Sequence, residues 1–100
     1  MGADGEQEFR ISPIAQRDLE DIWSFTVEKW SWEQAGKYHA DLLRVFAQLV
    51  SGQVKGREVD VRTGYRKYPV GSHFVFYRPR SYGIEIIRIL HRRMEVSRHL

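Results

Sequence analysis

A chain of 100 residues with 42% hydrophobic content has the apolar material for one core and too little length to divide it into two domains. The absence of cysteine excludes a disulfide scaffold, a thiolate metal site and a cysteine nucleophile together. The net charge of +3 is uneven, because residues 1–50 hold five Lys and Arg against nine Asp and Glu (−4), whereas residues 51–100 hold eleven against four (+7). The basic second half fits either an acidic partner on that side or arginines that only solvate exposed positions.

Residues 1–7, Met1-Gly2-Ala3-Asp4-Gly5-Glu6-Gln7, are polar and acidic, unlike a signal peptide, and are expected to form a flexible extension. No apolar run approaches the ~20 residues of a membrane span. The expectation is a single cytoplasmic domain over residues 1–100, with no membrane contact.

Glu8-Phe9-Arg10-Ile11 alternates in polarity and predicts a short strand. Ser12 then caps a helix and Pro13 opens it, where the missing proline N–H costs nothing. Ala15, Leu19, Ile22, Trp23, Thr26 and Trp30 recur at helical spacing, with Asp18, Glu20, Asp21 and Glu28 on the other side. Ser31 and Gln34 form a capping box that starts a second helix, with Trp30 and Ala35 as the hydrophobic staple. Ala35, Tyr38, Leu42, Val45, Phe46 and Leu49 mark its apolar stripe, and Gly52 ends it. Two amphipathic helices joined this closely predict an antiparallel hairpin lying on a sheet.

Residues 53–63 read as a loop with an extended patch around Val59 and Val61. Residues 64–94 hold three runs rich in aromatic and β-branched residues, divided by Gly71-Ser72 and by Pro79-Arg80-Ser81-Tyr82-Gly83. This predicts a three-stranded antiparallel meander. In the last run Ile84, Ile86 and Leu90 would point one way and Ile87 and Ile89 the other, so both faces are apolar and the strand should be interior. Residues 92–100 form a basic tail without a clear period. The fold class is therefore α+β in the order β-α-α-β-β-β, a helical hairpin packed on a small, mostly antiparallel sheet.

Among the four histidines, His39 flanks the buried stripe of the second helix, His73 begins the middle strand and His99 lies in the tail. None has metal-ligand spacing to a partner, so neither a metal nor a cofactor is expected. His91 closes the interior strand just before Arg92-Arg93 and is a candidate acid or phosphate contact. Trp23, Trp30 and Trp32 crowd the helix–helix turn, and an exposed aromatic there suggests a docking surface.

From Phe9 to Leu100 the chain resembles the ParE toxins of bacterial toxin–antitoxin modules, in the wider RelE/ParE superfamily. The likeness is carried by Ile11-Ser12-Pro13-Ile14-Ala15, Asp18-Leu19-Glu20-Asp21-Ile22-Trp23, Trp30-Ser31-Trp32-Glu33-Gln34-Ala35 with Tyr38, and Gly64-Tyr65-Arg66. It continues through Gly71-Ser72-His73-Phe74-Val75-Phe76-Tyr77-Arg78, Ile84 to Met94, and Arg98-His99-Leu100. The resemblance implies a toxin that poisons DNA gyrase and forms a hetero-oligomer with a ParD-type antitoxin, with no sequence-specific DNA binding. It also implies binding rather than catalysis. Trp23, Trp30, Trp32 and Tyr38 are then candidate antitoxin contacts, and His91, Arg92, Arg93 and Arg98 candidate target contacts. The alternative is a RelE-like ribosome-dependent endoribonuclease, whose site would draw on His91, Arg78, Arg92 and Glu58. Its usual arginine and tyrosine positions are here Phe74 and Arg92, which removes a transition-state charge stabiliser. A nuclease would need His91 to face an arginine and a carboxylate across an open hollow.

Overall fold

Ser12 turns the chain from its first strand into its first helix, as its side chain predicts. Its hydroxyl accepts the Ala15 N–H at 3.0 Å and donates to the Ile87 carbonyl at 3.0 Å, tying the helix start to the last strand. The computed structural model describes residues 7–100, so the extension expected at residues 1–7 lies, except for Gln7, outside the described residues. Strand β1 (Glu8–Ile11) leads into helix α1 (Pro13–Lys29) and helix α2 (Trp32–Ser51). Strands β2 (Arg57–Glu58), β3 (Arg66–Val70), β4 (His73–Arg80) and β5 (Gly83–His91) follow, and a 3₁₀ turn, Val96–Arg98, closes the chain.

The sheet order is β1-β5-β4-β3-β2, with β1 parallel to β5 and the other neighbours antiparallel. The hairpin and strands β2 to β4 all lie between β1 and β5 in the chain, which gives the parallel pair the long connection it requires. As expected, β5 is interior. Ser31 caps α2 by accepting the Gln34 N–H, and Gly52 ends it at φ +82°. Trp30 does not act as a staple over Ala35: it is the C-cap of α1 and 73% exposed.

The α2 stripe, with Leu42 and Phe46 at its centre, packs with Ala15 and Leu19 of α1 on Val75, Tyr77, Ile84, Ile86 and Ile89. The Asp18 carboxylate pins α1 to the free edge of β5 beyond the end of β1. It holds Arg88 in two hydrogen bonds of 2.9 and 3.0 Å and accepts the Ile89 N–H at 2.9 Å. The other face carries a second cluster of Val59, Tyr65, Phe76 and Leu90, with Phe74, Ile87, Val96 and Leu100 against it.

The facing expected for β5 is corrected by a bulge. Phe76 pairs with Arg88 and Tyr77 with Ile86, so Ile87 is an extra residue and the alternation changes phase across it. Ile89 therefore joins Ile84 and Ile86 under the helices, while Leu90 and Ile87 join the second cluster. Two further expectations change. Strand β2 falls at Arg57–Glu58, before the patch around Val59 and Val61; Val59 is buried and Val61 is 50% exposed. Pro79 and Arg80 belong to β4, because β3 has ended opposite Tyr77 and leaves that stretch an edge, where proline is tolerated. The tail, which shows no period in the sequence, is held: Arg62 donates to the Leu100 carbonyl at 2.6 Å, and Val96 and Leu100 pack on the sheet.

Candidate functional site

Between the hairpin and the end of the sheet lies an open groove of about 660 Å³. Helix α1 contributes Asp21, Ile22, Phe25 and Thr26, Trp30 stands at the turn, and α2 adds Gln34 and Tyr38. The far wall is Ser72, His73 and His91. Phe25 is 57% exposed, so with Trp30 it presents apolar surface to solvent along the groove rim.

Three side chains of this lining, His73, His91 and Tyr38, meet one another. His73 and His91 are directly opposite each other on β4 and β5, with ring centroids 5.5 Å apart. Tyr38 places its phenol oxygen 2.7 Å from His73 Nδ1 and 2.7 Å from the Val70 carbonyl. A phenol has one proton, so both contacts are satisfied when Tyr38 donates to Val70 and accepts from the His73 Nδ1–H. Burial raises the Tyr38 pKa, which keeps that proton in place. Gly71 allows the phenol so close: at φ +54° it has no side chain, and a Cβ would lie 2.6 Å from the Tyr38 ring. His91 Nδ1 accepts the Arg93 N–H at 3.1 Å, which leaves the proton of neutral His91 on Nε2. The two imidazoles thus carry their protons on different nitrogens.

Burial, and then the neighbouring His91, push the His73 pKa down from 6.5 to about 4, against a smaller upward pull from Asp18. The folded protein therefore holds His73 neutral while the unfolded chain protonates it below about pH 6.5, so stability falls as the pH drops from about 6.5 to about 4 and no further from this group. With the ring only part-buried, solvent screening leaves an effect on the order of 1–2 kcal/mol. Urea melts of the native protein and His73→Phe between about pH 7 and about pH 4 should converge or cross as the native protein loses this increment. Parallel curves across that interval would contradict it.

The candidate antitoxin contacts divide. Trp30 and Tyr38 line the groove, whereas Trp23 is half-buried on the other side of α1, 5.8 Å edge-to-face from both Trp32 and His39. Trp32 is 69% exposed. The candidate target contacts divide too. His91 faces the groove, while Arg92 donates from Nε to the Gly71 carbonyl at 3.0 Å and lies 5.0 Å over the Phe74 ring. Arg93 is exposed, and Arg98 is exposed beside Glu95 at 3.7 Å.

The four residues of the nuclease alternative do not converge. Arg78 pairs with Glu85 at 3.0 Å, five positions along β4 from His73 and its partner His91, which is about 17 Å along a strand. Glu58 meets Arg66 at 3.7 Å near the Arg78 end. The groove does set His91 with a carboxylate, Asp21, but among the described residues no arginine lines it. Among the described residues, no group of three or more His, Asp or Glu could hold a metal.

Sequence reasoning did not single out Asp21, Phe25 or Gln34 for this site. Phe25 was legible as one helical step from Ile22, widening the apolar arc of α1 toward the groove.

The model of the family described as the ParE toxin of type II toxin–antitoxin systems, parDE, matches residues 9–96. The chain belongs to the ParE toxin family. It is 40% identical over 94 residues to Toxin ParE1 of Mycobacterium tuberculosis, covering 92% of this chain and 96% of the relative. It is 38% identical over 93 residues to Toxin ParE1 of Caulobacter vibrioides, with the same coverage. The fold is shared with a solved structure titled "Chromosomal ParDE TA system from P. aeruginosa", at a TM-score of 0.74 and 24% identity over 85% of this chain and 95% of that one. In this ParE toxin the groove and the basic strand ends are thus features of a type II toxin–antitoxin protein.

Proposed function

We propose that this ParE toxin arrests growth by binding DNA gyrase, and that a ParD-type antitoxin neutralises it by laying an amphipathic segment into the groove between hairpin and sheet. The observation that carries the antitoxin half is the groove itself, an open channel whose rim is formed by the exposed Phe25 and Trp30. An apolar groove of this kind suits the spaced anchors of a helix. Seating a segment that orders on binding needs a large wrapped surface, which the hairpin and sheet end together offer. The target half rests on family membership and on the exposed cations Arg92, Arg93 and Arg98, with His91 beside them. The protein acts by binding in this reading, in the cytoplasm; no helix of the described residues is long and apolar enough to cross a membrane.

A second reading is favoured by one feature, the His73–His91 pair with Tyr38 in an open groove. Two neutral imidazoles facing an open groove can each accept a proton, which is the base half of the chemistry of a RelE-like ribonuclease. Against it stands the charge that would have to steady a phosphorane: Arg92 is turned to Gly71 and Phe74, and Arg78 is at the other end of the strand.

Induction of the toxin without antitoxin separates the two. Gyrase binding produces a DNA-damage response with translation continuing, and co-expression of the neighbouring open reading frame restores growth. Immediate loss of translation with no DNA-damage response would replace the first reading by the second.

A further inference from the structure

The sheet face turned away from the helices carries positive charge that the molecule does not neutralise. The acids of the basic half are engaged elsewhere: Glu58 meets Arg66, Glu85 holds Arg78 and Arg80, and Glu95 lies beside Arg98. The last, Asp60, is in the exposed loop after β2. Arg88 is taken by Asp18. Arg57, Lys67 and Arg92 have no carboxylate within ion-pair distance among the described residues, and the fold gathers them. Arg57 stands opposite Lys67, and Lys67 opposite Phe76, so these share the face of the second cluster. Lys67 Nζ and Arg92 Cζ lie 4.6 and 5.0 Å from the centre of the Phe74 ring. The anchor from Arg92 to Gly71 uses one of five guanidinium donors.

We infer that this face docks on duplex DNA through its phosphates, with Arg57, Lys67 and Arg92 as the contacts. Unneutralised cations, two on neighbouring strands and Arg92 fixed over Phe74 just past the end of β5, complement a rigid polyanion. A single strand would call for an open aromatic surface on which bases stack, and the Phe74 ring is already occupied by two cations. Contacts of this kind position a protein on DNA without reading its sequence. The inference deepens the target-binding reading and rests on it for its cellular setting, since gyrase works on duplex DNA.

The test is fluorescence anisotropy of a short labelled DNA duplex titrated with purified toxin over a range of salt, with gyrase absent. Affinity should fall with salt along a log–log slope of about −3, from three contacts at ~0.9 each. Arg57→Ala, Lys67→Ala and Arg92→Ala should each bring that slope about one unit nearer zero and weaken binding. Lys37→Ala, exposed on α2, should change neither. Circular dichroism should match the native protein in each variant. No binding at low salt, an unchanged slope in a variant carrying all three substitutions, or tighter binding of a single strand would overturn the inference. Competition by polyglutamate as effective as that by DNA would give the face to an acidic protein segment and overturn it too. Gyrase inhibition without DNA binding removes this inference and leaves the gyrase reading standing; DNA binding without inhibition does the reverse.

Discussion

Replacing Asp18 by alanine should destabilise the fold by about 3 kcal/mol, because the Arg88 guanidinium and the Ile89 N–H would both lose their acceptor. The Asp18 and Arg88 side chains are only 12% and 19% exposed, so water cannot fully take over. In a domain whose total stability is on the order of 5–15 kcal/mol, this lowers Tm by roughly 12 °C or more. Asp18→Asn keeps an oxygen for the N–H but loses the charge and should fall between. Glu20→Ala, exposed one turn-face away, should stay within ~0.5 kcal/mol. Thermal melts of the three variants check this, and an Asp18→Ala protein melting within a few degrees of native would show that packing alone seats α1 on β5.

Phe25→Ala and Trp30→Ala should have the opposite profile, leaving the melt nearly unchanged and loosening the antitoxin. Both rings are more than half exposed and belong to the groove rim. If they anchor the partner as buried aromatics do at interface centres, each truncation weakens the complex by about 2 kcal/mol or more, roughly 30-fold. Calorimetric titration of the toxin with antitoxin measures this. Trp23→Ala is the informative contrast, since Trp23 packs on Trp32 and His39 on the far side of α1 and its loss should cost stability first. Equal losses of affinity in all three variants would move the antitoxin off the groove and onto the whole hairpin tip.

What the sequence revealed and what it hid follow from the range of each interaction. Caps are local, so Ser12, Ser31 and Gly52 mark both helices in the sequence itself, and the three apolar runs mark the meander. The His73–His91 pair was not legible in the same way. Counting back from the Ser81-Tyr82 turn sets His73 opposite Leu90; only the extra residue at Ile87 brings His91 into that place. From Ile84 to Leu90 the apolar residues fall on both alternating faces, so a phase change at Ile87 is not forced by the pattern. The same phase change explains why Leu90 was expected beneath the helices and lies in the second cluster. The tail was read only as basic and without a period, because Arg62 and the sheet hold it through long-range contacts that no local pattern encodes. The groove was half legible: exposed tryptophans were expected at the turn, but which of them face the cavity depends on how α1 crosses the sheet, and Asp18 fixes that crossing from the other end of the chain's contacts.

The claim that this toxin works by holding its target is tested most directly by titrating purified gyrase with purified toxin, with messenger RNA and ribosomes assayed in parallel. Supercoiling should fall in proportion to the ratio of toxin to gyrase and reach its floor near equivalence, with the RNA intact and activity restored by antitoxin. Trace toxin that cleaves RNA on the ribosome with many turnovers, while supercoiling proceeds undisturbed, would contradict it.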